Sequence, residues 1–113
     1  MMQTAEGLTR EEQVVQMLRE LNIPIHRIGY QQLCIAIPYF RTDTTKTLSK
    51  DVYPYVASKS GNINPLAVEH SLREVIHAAY ESCDTQVWES YFPRIRKIPS
   101  NKQFIATLAE RLK

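Results

Sequence analysis

Between residues 65 and 82 the sequence places Glu69, His70, Arg73, Glu74 and His77 at helical spacing, so that one flank of a helix would carry all five. An arginine reads guanine through two parallel hydrogen bonds, and a carboxylate accepts from the cytosine amino group. That chemistry makes Glu69, His70 and Arg73 candidate base-reading residues. The same residues admit plainer roles. Glu69 and Arg73 stand four apart, the spacing of an ordinary surface ion pair. His70, Glu74 and His77 stand at i, i+4 and i+7, which would offer three ligands to a metal. The polar side of a recognition helix accounts for them equally well, and neither metal nor cofactor is expected.

Other reactive side chains point to structure. Cys34 sits in an apolar stripe, where a free thiol behaves as a small hydrophobe. With Cys83 far from it in sequence, two lone thiols suit a reducing compartment, and a cytoplasmic location is expected. His26, beside Pro24, is expected to hold its loop through a hydrogen bond. Trp88, Tyr91 and Phe92 would make a stacking platform for single strands, but their helical spacing fits a core better. The sequence shows no nucleophile–base pairing, Gly-rich phosphate loop or paired-carboxylate cleft, so an enzyme with a small-molecule substrate is not expected.

The net charge is only +2, yet it is unevenly spread. Residues 62–85 hold one basic and four acidic side chains, whereas 86–113 hold six basic and two acidic. Residues 31–61 hold four basic and two acidic. Phosphate-facing charge therefore belongs to the third element and the tail, with Lys50, Lys59, Lys97 and Lys102 as candidate phosphate contacts and Arg94 and Arg96 nearby.

Helices must position these groups. The chain has 113 residues, 43% of them apolar, enough for one core and too few for two ordinary domains. No apolar run is long enough to span a bilayer, and no secretory signal opens the chain. Thr9 and Glu12 form a capping-box signature ahead of Val14, Val15, Leu18 and Leu21; Asn22 and Pro24 end that helix. A loop over 23–29 leads to Leu33, Ala36, Ile37 and Phe40, with Pro38 set to kink or shorten the helix. Thr42, Thr44 and Thr45 offer N-caps for a third segment, about 46–58, in which Pro54 suits a new first turn. Gly61-Asn62 is the sharpest turn signal. Asn64 then caps a helix with Pro65 at its first position and Val68, Leu72, Val75, Ile76 and Ala79 on its apolar face. Asp84 caps a short helix that stops before Pro93, and Ser100 with Gln103 opens the last one. The expectation is an all-α, six-helix domain over residues 1–113. Two helices flanking the glycine turn would form a helix-turn-helix, with recognition helix 65–82 in the major groove.

Four blocks in order strengthen this. They are Ile23-Pro24-x-His26-x-x-Gly29-Tyr30-x-x-Leu33; Lys50-Asp51-Val52-Tyr53-Pro54-x-Val56-Ala57; Val68-Glu69-x-x-Leu72-Arg73-x-x-Ile76; and Pro99-Ser100-Asn101-x-x-Phe104-Ile105-Ala106. Together they resemble the C-terminal effector domain of the sporulation initiation response regulator, the stage-zero sporulation protein A family. The resemblance implies a six-helix DNA-binding domain that acts on sporulation-type promoters and pairs head to tail on adjacent sites. It carries over Glu69 and Arg73. It departs at Ala67, where the family has a base-reading arginine, at His70, where it is usually basic, and at Glu74, where histidine is common. The family's phosphorylated receiver does not fit in this length, so the chain is expected either to be a fragment or to work without phosphorylation.

The sequence thus favours a bacterial transcription regulator that binds duplex DNA, as a homodimer or a tandem pair, with no membrane partner. An alternative is a protein-interaction module derived from the same fold, docking through the acidic side of the fourth helix; a third is non-specific DNA affinity through Arg94, Arg96 and Lys97.

Overall fold

The computed structural model describes residues 7–94 and 97–113. Within them lie six helices: α1 (Arg10–Glu20), α2 (Ile28–Thr42), α3 (Tyr53–Lys59), α4 (Pro65–Ser82), α5 (Thr85–Tyr91) and α6 (Asn101–Glu110). No strand occurs among the described residues, so the expected all-α, six-helix class holds. Among the described residues no helix is long and apolar enough to cross a membrane.

Local sequence sets most helix ends. The Thr9 hydroxyl accepts from the Glu12 N–H while the Glu12 carboxylate accepts from the Thr9 N–H, at 3.1 and 2.9 Å. Ser100 and Gln103 repeat this reciprocal arrangement at the start of α6. Asp84 accepts from the N–H groups of Gln86 and Val87. Asn22 takes a left-handed φ of 63° just past α1, as a short amide side chain tolerates.

The structure corrects the reading between α2 and α3. The helix continues through Pro38 to Thr42. Thr42, Thr44 and Thr45 do not cap the next element: the Thr42 hydroxyl donates to the Tyr39 carbonyl, and the Asp43 carboxylate takes both the Thr45 N–H and its hydroxyl. Thr47 is the cap, and its hydroxyl accepts from the Lys50 N–H. A single turn of π-helix, Leu48–Val52, follows and runs directly into α3. Pro54 lies in the first turn of α3, which follows the π turn without a break.

His26 is also corrected. Its side chain is exposed and makes no hydrogen bond among the described residues. Backbone bonds fix the α1–α2 loop instead: Arg27 N–H to the Pro24 carbonyl and Tyr30 N–H to the Arg27 carbonyl, at 3.3 and 3.0 Å.

The core unites all six helices. Leu18 and Leu21 from the α1 end, Leu33 and Ile37 from α2, Val56 from α3, Leu72 and Ile76 from α4, Trp88 and Phe92 from the α5 end, and Phe104 and Leu108 from α6 are all buried. Trp88, Tyr91 and Phe92 are therefore core residues, as their spacing suggests, rather than a platform for single strands. Helix α2 is central and packs on α1, α3, α4 and α6. Gly29 lets it approach α4: a Cβ there would meet the Ser71 carbonyl oxygen at 2.6 Å and both Val75 methyls at 2.8 Å. This close approach fixes where the α1–α2 loop meets the exposed side of α4.

Candidate nucleic-acid interface

Helix α4 starts where the chain's strongest turn ends. Gly61 and Asn62 take φ of 91° and 57°, and only glycine enters the left-handed region without steric cost. The Ile63 N–H returns to the Ala57 carbonyl and closes the end of α3. Asn64 Oδ1 accepts from the Leu66 N–H at 2.8 Å, and Pro65 occupies the first turn. The apolar side chains of Val68, Leu72, Val75, Ile76 and Ala79 are buried. Burying that stripe leaves Leu66, Ala67, His70, Arg73, Glu74 and His77 exposed.

The exposed charges are mutually satisfied. Arg73 donates to Glu69 at 2.7 Å, one helical turn away. Arg27, from the α1–α2 loop, donates to Glu74 at 2.7 Å. His77 Nε2 lies 3.2 Å from the Glu81 carboxylate. Arg27, His70, Arg73, Glu74, His77 and Glu81 line a shallow depression of about 480 Å³. Glu74 and His77 thus have partners of their own instead of converging with His70. Among the described residues no group of three or more His, Cys, Asp or Glu side chains is arranged to hold a metal.

A second depression, also about 480 Å³, separates α4 from the start of α6 and is bordered by Tyr53, Glu69, Arg73, Asn101 and Lys102. Asn101 is buried there. Its Nδ2 donates to the Tyr53 hydroxyl at 3.0 Å and to the Glu69 carbonyl at 3.1 Å, tying α3, α4 and α6 together. Burial pushes the Tyr53 phenol above its ordinary pKa.

The three candidate base-reading residues therefore occupy different settings. Arg73 stands on the ridge between the two depressions, with its side chain 64% exposed. His70 is exposed beside it. Glu69 is turned towards α6, with its side chain only 32% exposed. Of the candidate phosphate contacts, Lys59 is exposed at the end of α3, just before the turn. Lys102 borders the same depression as Arg73, and its Nζ lies over the Phe40 ring, 6.0 Å from the centroid. Lys50 is exposed on the π turn and Lys97 before α6. Arg94 is exposed, and Arg96 lies outside the described residues.

Arg27 is the residue that sequence reasoning missed. Its partner is 47 positions away, and no local pattern marks it. The two thiols carry no activation: burial pushes both the Cys34 and the Cys83 thiols up.

All four sequence blocks fall within residues 14–112, the span matched by the family model described as sporulation initiation factor Spo0A C terminal. The chain belongs to that family, the DNA-binding C-terminal domains of a sporulation regulator of transcription.

Proposed function

We propose that this chain binds duplex DNA sequence-specifically, with α3 lying across the backbone and α4 as the recognition helix in the major groove. The observation that carries this is α4 itself: capped, preceded by a tight turn from α3, buried on one side and presenting His70 and Arg73 on the other. A helix of this kind enters the major groove by its N-terminal half, where the helix dipole also favours phosphate. Arg73 is the base reader in this reading, and Glu69 holds its guanidinium in place until a base edge replaces it. Lys59 and Lys102 supply phosphate contacts on either side, and Lys50 and Lys97 extend them. The whole chain acts as one cytoplasmic effector unit, singly or paired on adjacent sites, with no catalytic step.

One observation favours a second reading. Glu74 occupies the middle of the exposed side of α4 and neutralises Arg27. A surface so balanced in charge suits a protein partner of mixed charge as well as it suits DNA.

Selection of bound sequences from a random duplex library at moderate salt separates the two. An enriched motif, lost on competition with itself and not with random duplex, supports specific regulation. A folded domain that enriches nothing transfers the function to protein interaction. Retention that random duplex abolishes reduces it to non-specific affinity.

A further inference from the structure

Near the C-terminal end of α2, the end away from the Arg27–Glu74 pair, two tyrosines and two lysines form a column. Tyr39 of α2 and Tyr55 of α3 stack with ring centroids 3.7 Å apart and planes 2° from parallel. Lys46 Nζ lies over Tyr39, 4.7 Å from its centroid, and Lys59 Nζ lies over Tyr55 at 5.5 Å. Each ring has one face against the other ring, so each ammonium occupies an outer face. The order through the column is cation, ring, ring, cation.

That order has a physical reason. Two ring faces both carry negative charge density, and a direct sandwich is less favourable than an offset or edge-on pair. A cation over each outer face draws that density outward and offsets the repulsion. The column thereby holds an ammonium at each end. Lys46 is held further, because its Nζ donates to the Thr42 hydroxyl at 2.8 Å and to the Asp43 carbonyl at 3.4 Å. One of its three donors is left over. The Asp43 carboxylate accepts from Thr45 and also feels the Lys46 charge, but neither lysine has a carboxylate within 4 Å among the described residues. The rings are only half-buried, so the column is open to a partner.

We propose that the column of Lys46, Tyr39, Tyr55 and Lys59 is a preorganised grip for the phosphate backbone of the duplex, joining α2 and its following loop to the DNA contact. This rests on the DNA-binding reading above. Two observations favour phosphate as the occupant. The site sets two ammoniums against one carboxylate, Asp43, and its net positive charge is the complement of a polyanion. Lys59 also ends the helix that crosses the backbone in this reading, only six residues before the first residue of α4. Two lysines already ordered lose less side-chain freedom on meeting phosphate than free ones do.

The test is a titration of fluorescent duplex by anisotropy over a range of salt, with a selected duplex and a random one. The wild-type chain is compared with Lys46→Gln/Lys59→Gln and with Tyr55→Leu. Each phosphate contact contributes about 0.9 to the slope of log K against log salt. The double lysine variant is expected to flatten that slope by about two units and to weaken both duplexes alike, because backbone contacts are blind to sequence. Tyr55→Leu keeps both charges, so it should leave the slope in place while affinity falls a few-fold. Wild-type binding with an unchanged slope in the lysine variant overturns the grip, and with it the Lys59 phosphate contact, but leaves recognition of the duplex by α4 standing. Weakening of the selected duplex alone also overturns it. A wild-type chain with no salt-sensitive binding to any duplex overturns both readings together.

Discussion

The exposed side of α4 and the α2–α3 column hold their cations in opposite ways. On α4, Arg73 is paired with Glu69, and Arg27 is paired with Glu74. In the column, Lys46 and Lys59 rest on tyrosine rings, with no carboxylate in direct contact among the described residues and only Asp43 acting on Lys46 from further off. Exposed ion pairs of the first kind contribute about 0–1 kcal/mol each. They cost little to exchange for a base edge, and they hold the arginine in a defined direction meanwhile. The self-paired surface is therefore suited to discrimination and exerts little pull on a polyanion. The column exerts pull and has no means of discrimination. The contrast suggests a division in which α4 chooses the sequence and the surrounding lysines supply affinity.

The contrast breaks first at Arg73. Replacing it with alanine should remove about 1–3 kcal/mol of preference for the selected duplex, roughly five- to 150-fold. Binding to random duplex should change much less. Competition titrations with both duplexes read this directly, and equal losses on the two would make Arg73 a phosphate contact rather than a reader. Asn101→Ala comes next, because the Tyr53 hydroxyl and the Glu69 carbonyl lose a buried donor. Thermal unfolding should show a loss of about 1–3 kcal/mol. Discrimination should weaken with it, because Glu69 loses its register against α6. Gly29→Ala should cost a similar 1–3 kcal/mol through overpacking, since the neighbour at 2.6 Å is a backbone oxygen that no rotamer change can remove.

The sequence disclosed the parts of this arrangement that local chemistry decides. Thr9, Asn64, Asp84 and Ser100 cap helices because their side chains need only N–H groups two or three residues on. The five buried residues of α4 follow from their spacing alone. Where two local bonds compete, the sequence is ambiguous: Asp43 takes Thr45 out of contention, and the cap passes to Thr47. The π turn was hidden for a related reason, since the hydrophobic spacing of residues 46–58 fits a widened turn and a regular one alike. Partners distant in sequence left no trace. Arg27 reaches Glu74 across 47 positions, Asn101 reaches Glu69 across 32, and Tyr39 meets Tyr55 only because α2 packs on α3. The helices could thus be read in advance, but the state of their exposed charges could not.

The finest test of the contrast is Glu74→Gln, which removes one negative charge from the α4 side and releases Arg27. Stability should change by no more than about 1 kcal/mol, because both partners are more than half exposed. DNA affinity should rise. A unit charge a few ångströms from a phosphate in water is worth about 1 kcal/mol, or roughly fivefold at low salt, and screening should erode the gain as salt rises. A second variant tells which change matters. If removing the carboxylate is enough, Glu74→Gln gives the same gain in an Arg27→Gln background. If the freed guanidinium reaches the duplex, the gain shrinks there, and the coupling between the two positions measures Arg27's own contact with DNA. A Glu74→Gln chain that binds no tighter at any salt would show that the middle of α4 does not face the polyanion. The self-paired surface would then belong to a protein partner.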